Sequence, residues 1–462
     1  MTTDFVTEYL QMTPKSSALF ERAQKSLPGG NTRHTYLFKP RPLYVEKGYG
    51  CRIIDADGNE LFDFVNNMGA LILGHNNAAV VKAVKGAIDQ GDSFGAPTHY
   101  EIELAEIMCA AIPCAERVRF LVTGTEATMT ALRAARAYSG KERIGKFEGH
   151  YHGTHDYAQV STHPSFDRVG SPSSPAAVPD SAGVPSDVVK SIVVLPWNDL
   201  PACETIIREH KDELAAVILD PIANGSGVIP PKDEFLKGLR ECTEANGILL
   251  IFDEIISGFR IAYGGAQECY RVTPDMATYG KIIGGGYPAG AVVGTEEIMQ
   301  VFDGSKEAEP KVKHYGTFNA QPLAMVAGVA TLTQLKPELY EKIGNFAKQV
   351  KIEIEKTLAD QHIKGCVSNA GSFLYLIHFG VDELTNFRDL KSEDRELVSQ
   401  FGLGSICKGV YFVPSRSANV SAAFTAKDIS LAIEKMKNVL GEMKPLFEEK
   451  KKIARQDLPK VS

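Results

Sequence analysis

Two residues that can do covalent chemistry follow apolar, strand-like segments of this chain. Lys281 comes just after the run 276–279, and Asp253 directly follows the run 248–252. A lysine amine forms an imine with an aldehyde, and a carboxylate can hold a protonated ring nitrogen. The pair therefore indicates an enzyme that holds an aldehyde cofactor. A plain surface lysine is the alternative, but it is disfavoured directly after an apolar strand.

The elements that position this pair follow from six apolar runs that alternate with helix-like segments. The runs are 118–122, 144–147, 191–195, 216–219, 248–252 and 276–279. Short apolar strands with helical crossovers predict an α/β fold, in which a mostly parallel central sheet is flanked by helices. Ligands bind such sheets at the carboxyl ends of the strands. The notable residues that stand there are Gly124, Thr125, Tyr151, His152, Asp220, Asp253 and Lys281.

Both ends of the chain read as parts of one smaller α+β domain. We predict its N-terminal part at residues 1–75, the large domain at 76–330 and its C-terminal part at 331–462. Asp57-Gly58 between two alternating runs predicts a hairpin, and helices are predicted over 341–360 and 428–451. The Ser- and Pro-rich stretch Gly170–Asp187 predicts an irregular loop inside the large domain, which we interpret as a mobile flap.

Composition narrows the class of protein. With 462 residues, the chain can bury a large core. Its net charge of -7 argues against nucleic acid or an anionic membrane as the main partner. Its eight cysteines show no C-x-x-C pair and read as reduced thiols. No apolar run approaches the ~20 residues needed to span a bilayer, and the first residues resemble no targeting peptide. We expect a cytoplasmic protein.

Three local motifs leave alternatives open. The segment 123–128 opens a helix after a strand, so Gly124 and Thr125 could seat a phosphate, although a capped helix start explains the pattern equally well. Tyr151 and His152 could stack on a flat ring. The three histidines of 150–155 lack the spacing of a helix-face zinc motif, so we expect no metal site.

Two further residues are candidates on weaker local evidence. Arg33 follows a glycine-rich segment and could bind a carboxylate through two parallel hydrogen bonds, whereas an exposed arginine is the simpler interpretation. Thr317 lies in the loop 316–322 and could be a second phosphate ligand.

Taken in order, the motifs resemble the class III aminotransferases of the pyridoxal-phosphate-dependent fold type I superfamily. Glutamate-1-semialdehyde aminomutase and the β-amino-acid aminotransferases are the members that it resembles most. The resemblance extends from Pro28 to about Lys437, and its most specific segments are 93–98, 124–136, 146–153, 253–260 and 280–286.

The resemblance implies pyridoxal 5'-phosphate as the cofactor and a role for each residue near its ring. Lys281 would form the Schiff base and then transfer the proton. Asp253 would pair with the pyridinium nitrogen, Tyr151 would lie on the ring face, and His152 would contribute to the cofactor site.

The resemblance also implies a homodimer with shared active sites. Gly124 and Thr125 would hold the phosphate, and Thr317 would be supplied by the neighbouring subunit. Arg33 matches the arginine that binds the substrate carboxylate in the aminomutase group, and Arg416 offers a second carboxylate contact.

Departures from the aminomutase pattern favour a transaminase. Asn67-Met68-Gly69 replaces its Ser-Trp-Gly, Asp220-Pro221 replaces the usual Glu-Pro, and no glutamate follows the segment 413–415. We predict transfer of an amino group from a β-amino acid or related amine to a keto acid such as 2-oxoglutarate or pyruvate. Glutamate-1-semialdehyde 2,1-aminomutase is the alternative. A non-catalytic pyridoxal-phosphate-binding protein is a third, disfavoured by the intact lysine, aspartate and tyrosine.

Overall fold

A computed structural model describes residues 4–305, 311–414 and 417–456. Its strands are β1 (Val45–Tyr49), β2 (Arg52–Asp55), β3 (Glu60–Asp63), β4 (Arg117–Leu121), β5 (Arg143–Phe147), β6 (Gly170–Ser171), β7 (Ser174–Pro175), β8 (Ile192–Leu195), β9 (Leu214–Leu219), β10 (Leu249–Asp253), β11 (Met276–Gly280), β12 (Gly290–Gly294), β13 (Gly365–Ala370), β14 (Phe373–Phe379), β15 (Val410–Tyr411) and β16 (Ala418–Asn419).

The helical segments include α3, a single turn whose backbone is left-handed. They are α1 (Phe5–Met12), α2 (Pro14–Gln24), α3 (Asn66–Gly69), α4 (Ala78–Ile88), α5 (His99–Ala111), α6 (Gly124–Ser139), α7 (Ser186–Lys190), α8 (Leu200–Glu209), α9 (Phe235–Ala245), α10 (Gly265–Tyr270), α11 (Glu296–Met299), α12 (Pro322–Leu332), α13 (Pro337–Asp360), α14 (Arg395–Cys407), α15 (Ala426–Glu442) and α16 (Lys444–Gln456).

The central sheet confirms the predicted α/β architecture. Its seven strands are ordered β4-β12-β11-β10-β9-β5-β8, and all the predicted runs are strands of it. Every residue of β9 is buried, as expected for a strand covered on both faces. The sequence analysis missed β12, which pairs antiparallel with both of its neighbours. Its five residues are bounded by glycines, and so short a run gives little signal.

The two ends of the chain come together in a second sheet, ordered β1-β2-β3-β15. The predicted hairpin at Asp57-Gly58 joins β2 to β3. Strand β15 from the C-terminal third lies parallel to β3, with Val410 opposite Phe62. This pairing joins the N- and C-terminal segments, while the boundaries at 75/76 and 330/331 stay predictions. The single helix predicted over 428–451 is wrong, because it is divided at Met443 into α15 and α16.

The stretch Gly170–Asp187 is irregular, as predicted, but it is held at several points. Ser161 donates its backbone N–H to Val178 at 2.7 Å. Arg388 donates to the carbonyl oxygen of Gly170 at 3.0 Å and forms two hydrogen bonds, of 2.8 and 3.0 Å, with the buried carboxylate of Glu148. Since Glu148 precedes the Tyr151 loop, Arg388 joins the C-terminal segment to the surroundings of the candidate site.

Two further findings concern the membrane and the thiols. Within the described ranges, no helix combines the length and apolar character required to cross a membrane. All eight cysteines are described and carry free thiols.

Replacing Arg388 with methionine should lower the free energy of unfolding by about 3 kcal/mol, because the buried Glu148 loses its cation. Chemical denaturation followed by the fluorescence of Trp197 is a suitable measurement, since this single tryptophan packs on Phe147, 5.3 Å between ring centroids. As a control, Lys190→Met removes the exposed pair with Asp187 and should leave the midpoint unchanged. Equal midpoints for the two variants would contradict the prediction.

Candidate active site

Lys281 stands at the carboxyl end of β11, in a short helical turn that continues to Gly284. Its φ of 49° lies in the left-handed region, where a lysine is strained. The following glycines allow close packing of this turn, because a Cβ on Gly285 would lie 2.3 Å from the carbonyl oxygen of Ala327. Burial lowers the pKa of Lys281 to about 8, and the charges of Asp253 and Asp220 oppose that shift.

Asp253 ends the neighbouring strand β10, where three donors fix its carboxylate. His152 Nδ1 lies 2.7 Å from one oxygen. The Thr278 hydroxyl and the backbone N–H of Ile255 donate to the other at 3.1 and 3.2 Å. Burial raises the pKa of Asp253 to about 6, while these hydrogen bonds and the charge of Lys281 act in the opposite direction. The carboxylate is therefore ionised at neutral pH and held in one orientation.

His152 is the donor in its contact with Asp253. Burial and the charge of Lys146 lower the pKa of the imidazole well below its ordinary value, so the ring is neutral. A neutral ring that faces a carboxylate through Nδ1 carries its proton on that nitrogen. The predicted residues Lys281, Asp253 and His152 thus lie together at one edge of the sheet.

Asp220 is a second buried carboxylate in this neighbourhood. It follows β9 and accepts the backbone N–H groups of Ile222 and Asn224 at 3.1 and 2.8 Å. Burial raises its pKa to about 7, the charge of Asp253 adds to this, and that of Lys281 opposes it. The Lys281 amine accordingly lies in the field of two acids.

The predicted phosphate seat adjoins this group. Gly124 and Thr125 are the first residues of α6, and the residues on either side of them, Thr123 and Glu126, form a capping box. The first turn of a helix has backbone N–H groups without intrahelical partners. Ile255 packs against both Gly124 and Gly280, where added Cβ atoms would lie 3.0 and 3.1 Å from its Cδ1. That contact brings the helix start beside Lys281 and Asp253.

Tyr151 lies on the loop that carries His152, and its side chain is 43% exposed. The loop is held to α6, because Thr128 donates its hydroxyl to the carbonyl of His152 at 2.6 Å and Thr154 donates its N–H to Thr125 Oγ1 at 3.3 Å. Tyr151 is therefore a partly exposed residue next to His152. Its stacking on a cofactor stays a prediction.

Among the described residues, two further candidates, Arg33 and Thr317, are not in contact with this group. Arg33 is exposed, and its guanidinium lies over the Tyr36 ring, 4.3 Å from the centroid. Thr317 is on an exposed turn. Arg416 lies outside the described residues. The roles predicted for these three stay predictions.

The sequence analysis gave no role to two residues that the structure places at the site. Thr278 donates to Asp253 because the two are partners in the register between β11 and β10. Arg260 is fully buried and hydrogen-bonds the carbonyl oxygens of Gly69 and Val420. Its charge contributes to lowering the pKa of Lys281. Thr278 could be found from the sequence by placing the two neighbouring apolar strands in register, whereas no local pattern marks Arg260.

The arrangement fits a phosphorylated heterocyclic aldehyde. A partly buried amine of lowered pKa, an oriented carboxylate and the start of a sixteen-residue helix are adjacent. They match the three polar parts of such a molecule, namely the aldehyde, the ring nitrogen and the phosphate.

Uptake of pyridoxal 5'-phosphate by the apoprotein should accelerate with pH up to about 8 and then level off. Only the neutral amine of Lys281 attacks an aldehyde, and burial lowers its pKa to about 8. Stopped-flow absorbance measures the rate, with a lysine-containing peptide as the reference that cancels the titration of the aldehyde itself. Lys281→Ala should leave no cofactor that borohydride can fix. A rate that rises to about pH 10, as for an ordinary lysine, would contradict this.

Comparison with known proteins agrees with this geometry. Residues 37–386 match the family model described as aminotransferase class-III. A glutamate-1-semialdehyde 2,1-aminomutase of Methanocaldococcus jannaschii is 43% identical over 403 residues, which are 87% of this chain and 92% of that protein.

Two solved structures extend the comparison. An omega-transaminase from Sphaerobacter thermophilus has a TM-score of 0.88 and 41% identity, covering 92% of this chain and 97% of the other. A beta-phenylalanine aminotransferase from Variovorax paradoxus has a TM-score of 0.86 and 28% identity, covering 96% and 97%. The cofactor is therefore pyridoxal 5'-phosphate, and the chain belongs to the class III aminotransferases, a family of enzymes that depend on it.

Proposed function

We propose that this enzyme transfers an amino group from a β-amino acid or a related amine to a keto acid such as 2-oxoglutarate or pyruvate. The observation that carries the proposal is the left-handed turn α3, which places Asn67 and Met68 beside the Arg33 loop. The aminomutase pattern has Ser-Trp-Gly at this point, so an aromatic wall is replaced by smaller and more flexible side chains.

The turn is strained and firmly held. Asn66, Asn67 and Met68 have φ values of 47°, 50° and 55°, a conformation that costs about 1–2 kcal/mol per residue. Asp63 accepts the backbone N–H of Asn66 at 3.0 Å, and Asn66 Nδ2 donates to the carbonyl of Asn419 at 2.8 Å. Strain that is maintained by such contacts is typical of binding sites.

Arg33 is connected to this turn through Tyr36. The Tyr36 hydroxyl donates to Asn67 Oδ1 at 3.2 Å, and the Arg33 guanidinium stacks on the Tyr36 ring. Stacking fixes the plane of the guanidinium and leaves its N–H groups for a carboxylate. We propose that this carboxylate is that of the amino donor.

Each residue near Lys281 has a definite task in this proposal. Pyridoxal phosphate, when bound, supplies an aldehyde that carries the amino group and a ring that accepts electrons. Lys281 Nζ, whose pKa of about 8 leaves an appreciable neutral fraction at physiological pH, takes the proton from the donor carbon and returns it. Such proton transfer contributes about 10²–10⁴-fold. The ionised carboxylate of Asp253 pairs with the protonated ring nitrogen, and His152 keeps that carboxylate oriented.

A homodimer with shared active sites is part of the proposal. Thr317 lies on a turn whose neighbours Tyr315 and Phe318 are 85% and 57% exposed. Exposed aromatic side chains of this size are typical of surfaces that a partner covers. We also propose a cytoplasmic location, with which the free thiols agree.

A second candidate is glutamate-1-semialdehyde 2,1-aminomutase, favoured by the 43% identity to the Methanocaldococcus protein of that name. An aminomutase returns the amino group to its own substrate and needs no external keto acid. The experiment is therefore turnover with and without an acceptor. Conversion of a β-amino acid only in the presence of 2-oxoglutarate or pyruvate supports the proposal. Conversion of the semialdehyde to 5-aminolevulinate without any acceptor would establish the alternative.

Arg33→Ala should raise KM for carboxylated donors by about 10- to 100-fold, since a charge-assisted hydrogen bond contributes roughly 1.5–3 kcal/mol. Amines without a carboxylate should keep their KM. The matched control is Arg22→Ala, which removes another exposed arginine, at the end of α2. Initial-rate measurements with one donor of each kind are sufficient. Equal losses for both donors would show that Arg33 has only a structural role.

A further inference from the structure

The turn that presents Thr317 is connected to the edge of the central sheet by two successive side-chain contacts. Arg119, in the middle of the edge strand β4, donates its Nε–H to Nδ1 of His314 at 2.9 Å. The other ring nitrogen of His314 lies 3.1 Å from the side-chain amide of Asn319. Asn319 in turn donates its backbone N–H to the carbonyl of Gly316 at 3.2 Å, which closes the turn around Thr317.

The protonation state of His314 suits this connection. Burial lowers the pKa of the imidazole, and the charge of Arg119 lowers it further, so the ring is neutral. Because Nδ1 accepts from an arginine, the proton of the neutral ring is on Nε2, which faces the side-chain amide of Asn319. Gly316 is suited to its place, since a Cβ there would lie 2.5 Å from the Asn319 amide.

Both ends of the segment are anchored independently of these contacts. Val312 donates its N–H to Val301 at 2.7 Å, and Gln321 donates its side-chain amide to Asp92 at 2.9 Å. The intervening turn is exposed at Thr317 and Phe318. Its conformation therefore depends on the contacts of Arg119, His314 and Asn319 rather than on packing in a core.

We propose that Arg119, His314 and Asn319 are positioning residues that hold the Thr317 turn so that it contacts the cofactor phosphate of the neighbouring subunit. The inference rests on the shared active sites of the proposed function. It adds that each chain controls cofactor retention in its partner's site through residues that touch neither cofactor nor substrate.

Mixed dimers test this directly. Arg119→Met in both chains should weaken binding of pyridoxal phosphate by about 3- to 10-fold, as for the loss of one hydrogen bond. Binding is read as the amount of cofactor that borohydride fixes on Lys281 at increasing concentration, so the readout does not depend on turnover. Arg117→Met is the matched control, because Arg117 is on the same strand and pairs with Glu296 at 2.9 Å on the surface.

Two arrangements of the same substitutions then give opposite results. When an Arg119→Met chain pairs with a Lys281→Ala chain, the only Lys281 receives an unaltered turn, and binding should return to the wild-type value. When one chain carries both substitutions and its partner carries neither, the only Lys281 receives the altered turn, and binding should stay weak. Chains with different affinity tags allow each dimer to be purified.

The outcomes separate this inference from the proposed function. The inference is overturned if binding is weak when Arg119→Met is on the chain that carries Lys281 and normal when it is on the partner chain. It is also overturned if Arg119→Met in both chains binds the cofactor as well as Arg117→Met does. If Arg119→Met does not fold, Asn319→Ala takes its place in both arrangements with the same expected results. Thr317→Ala serves as the reference. If this substitution in one chain does not weaken cofactor binding at Lys281 of the partner subunit, the proposed shared active site itself is wrong.

Discussion

The electrostatic balance around Lys281 is the constraint on which the rest of the structure depends. Burial lowers the pKa of this amine to about 8 and raises those of Asp253 and Asp220 to about 6 and 7. A single buried ion in this place would cost several kcal/mol. Here the charge of Lys281 is stabilised by the two carboxylates, which repel each other, and Asp253 is also held by fixed donors such as His152 and Thr278. With a pKa of about 8, the amine keeps an appreciable neutral fraction at physiological pH while Asp253 stays ionised, which is the combination that proton transfer beside a protonated ring requires.

Such a balance needs a rigid support, and the parallel sheet provides it. Asp253 and Lys281 end adjacent strands, so their separation is set by the register that places Asp253 opposite Thr278. The strained backbone is found at the margins of this support, at Lys281 and in the turn of Asn67 and Met68. Strain of roughly 1–3 kcal/mol per residue persists only where the surrounding contacts determine the conformation. Positive φ is not confined to these positions, since Asn198 and Glu234 also adopt it.

The sequence predicted the parts that depend on local pattern. Apolar runs identified most strands of the central sheet, and residues after those runs, such as Asp253 and Lys281, lie together as expected. Strand β12 was missed because a five-residue run bounded by glycines has no distinctive period. The end of the helix at Met443 was missed although Gly441 and Pro445 flank it, because the polar and apolar periodicity continues across them. Arg260 was given no role because its partner Gly69 is 191 residues away. Long-range contacts of this kind have no local signature, whereas periodicity does.

The contrast between local patterns and long-range contacts also explains why similarity to known proteins identifies the chemistry more sharply than it identifies the substrate. The lysine, the aspartate and the helix start suit any reaction in which pyridoxal phosphate carries an amino group, and the chain is similar both to proteins named as aminomutases and to proteins named as transaminases. Discrimination must come from groups that contact the rest of the substrate, since catalysis of the proton transfer is common to both reactions. In the proposed function those groups belong to the Asn67 turn and the Arg33 loop, which are joined through Tyr36, while Gly69 at the end of the turn accepts a hydrogen bond from Arg260. On this proposal specificity is determined by segments distant in sequence from Lys281, so side chains of the turn and the loop can change while Asp253, Asp220 and Arg260 keep their place around the amine.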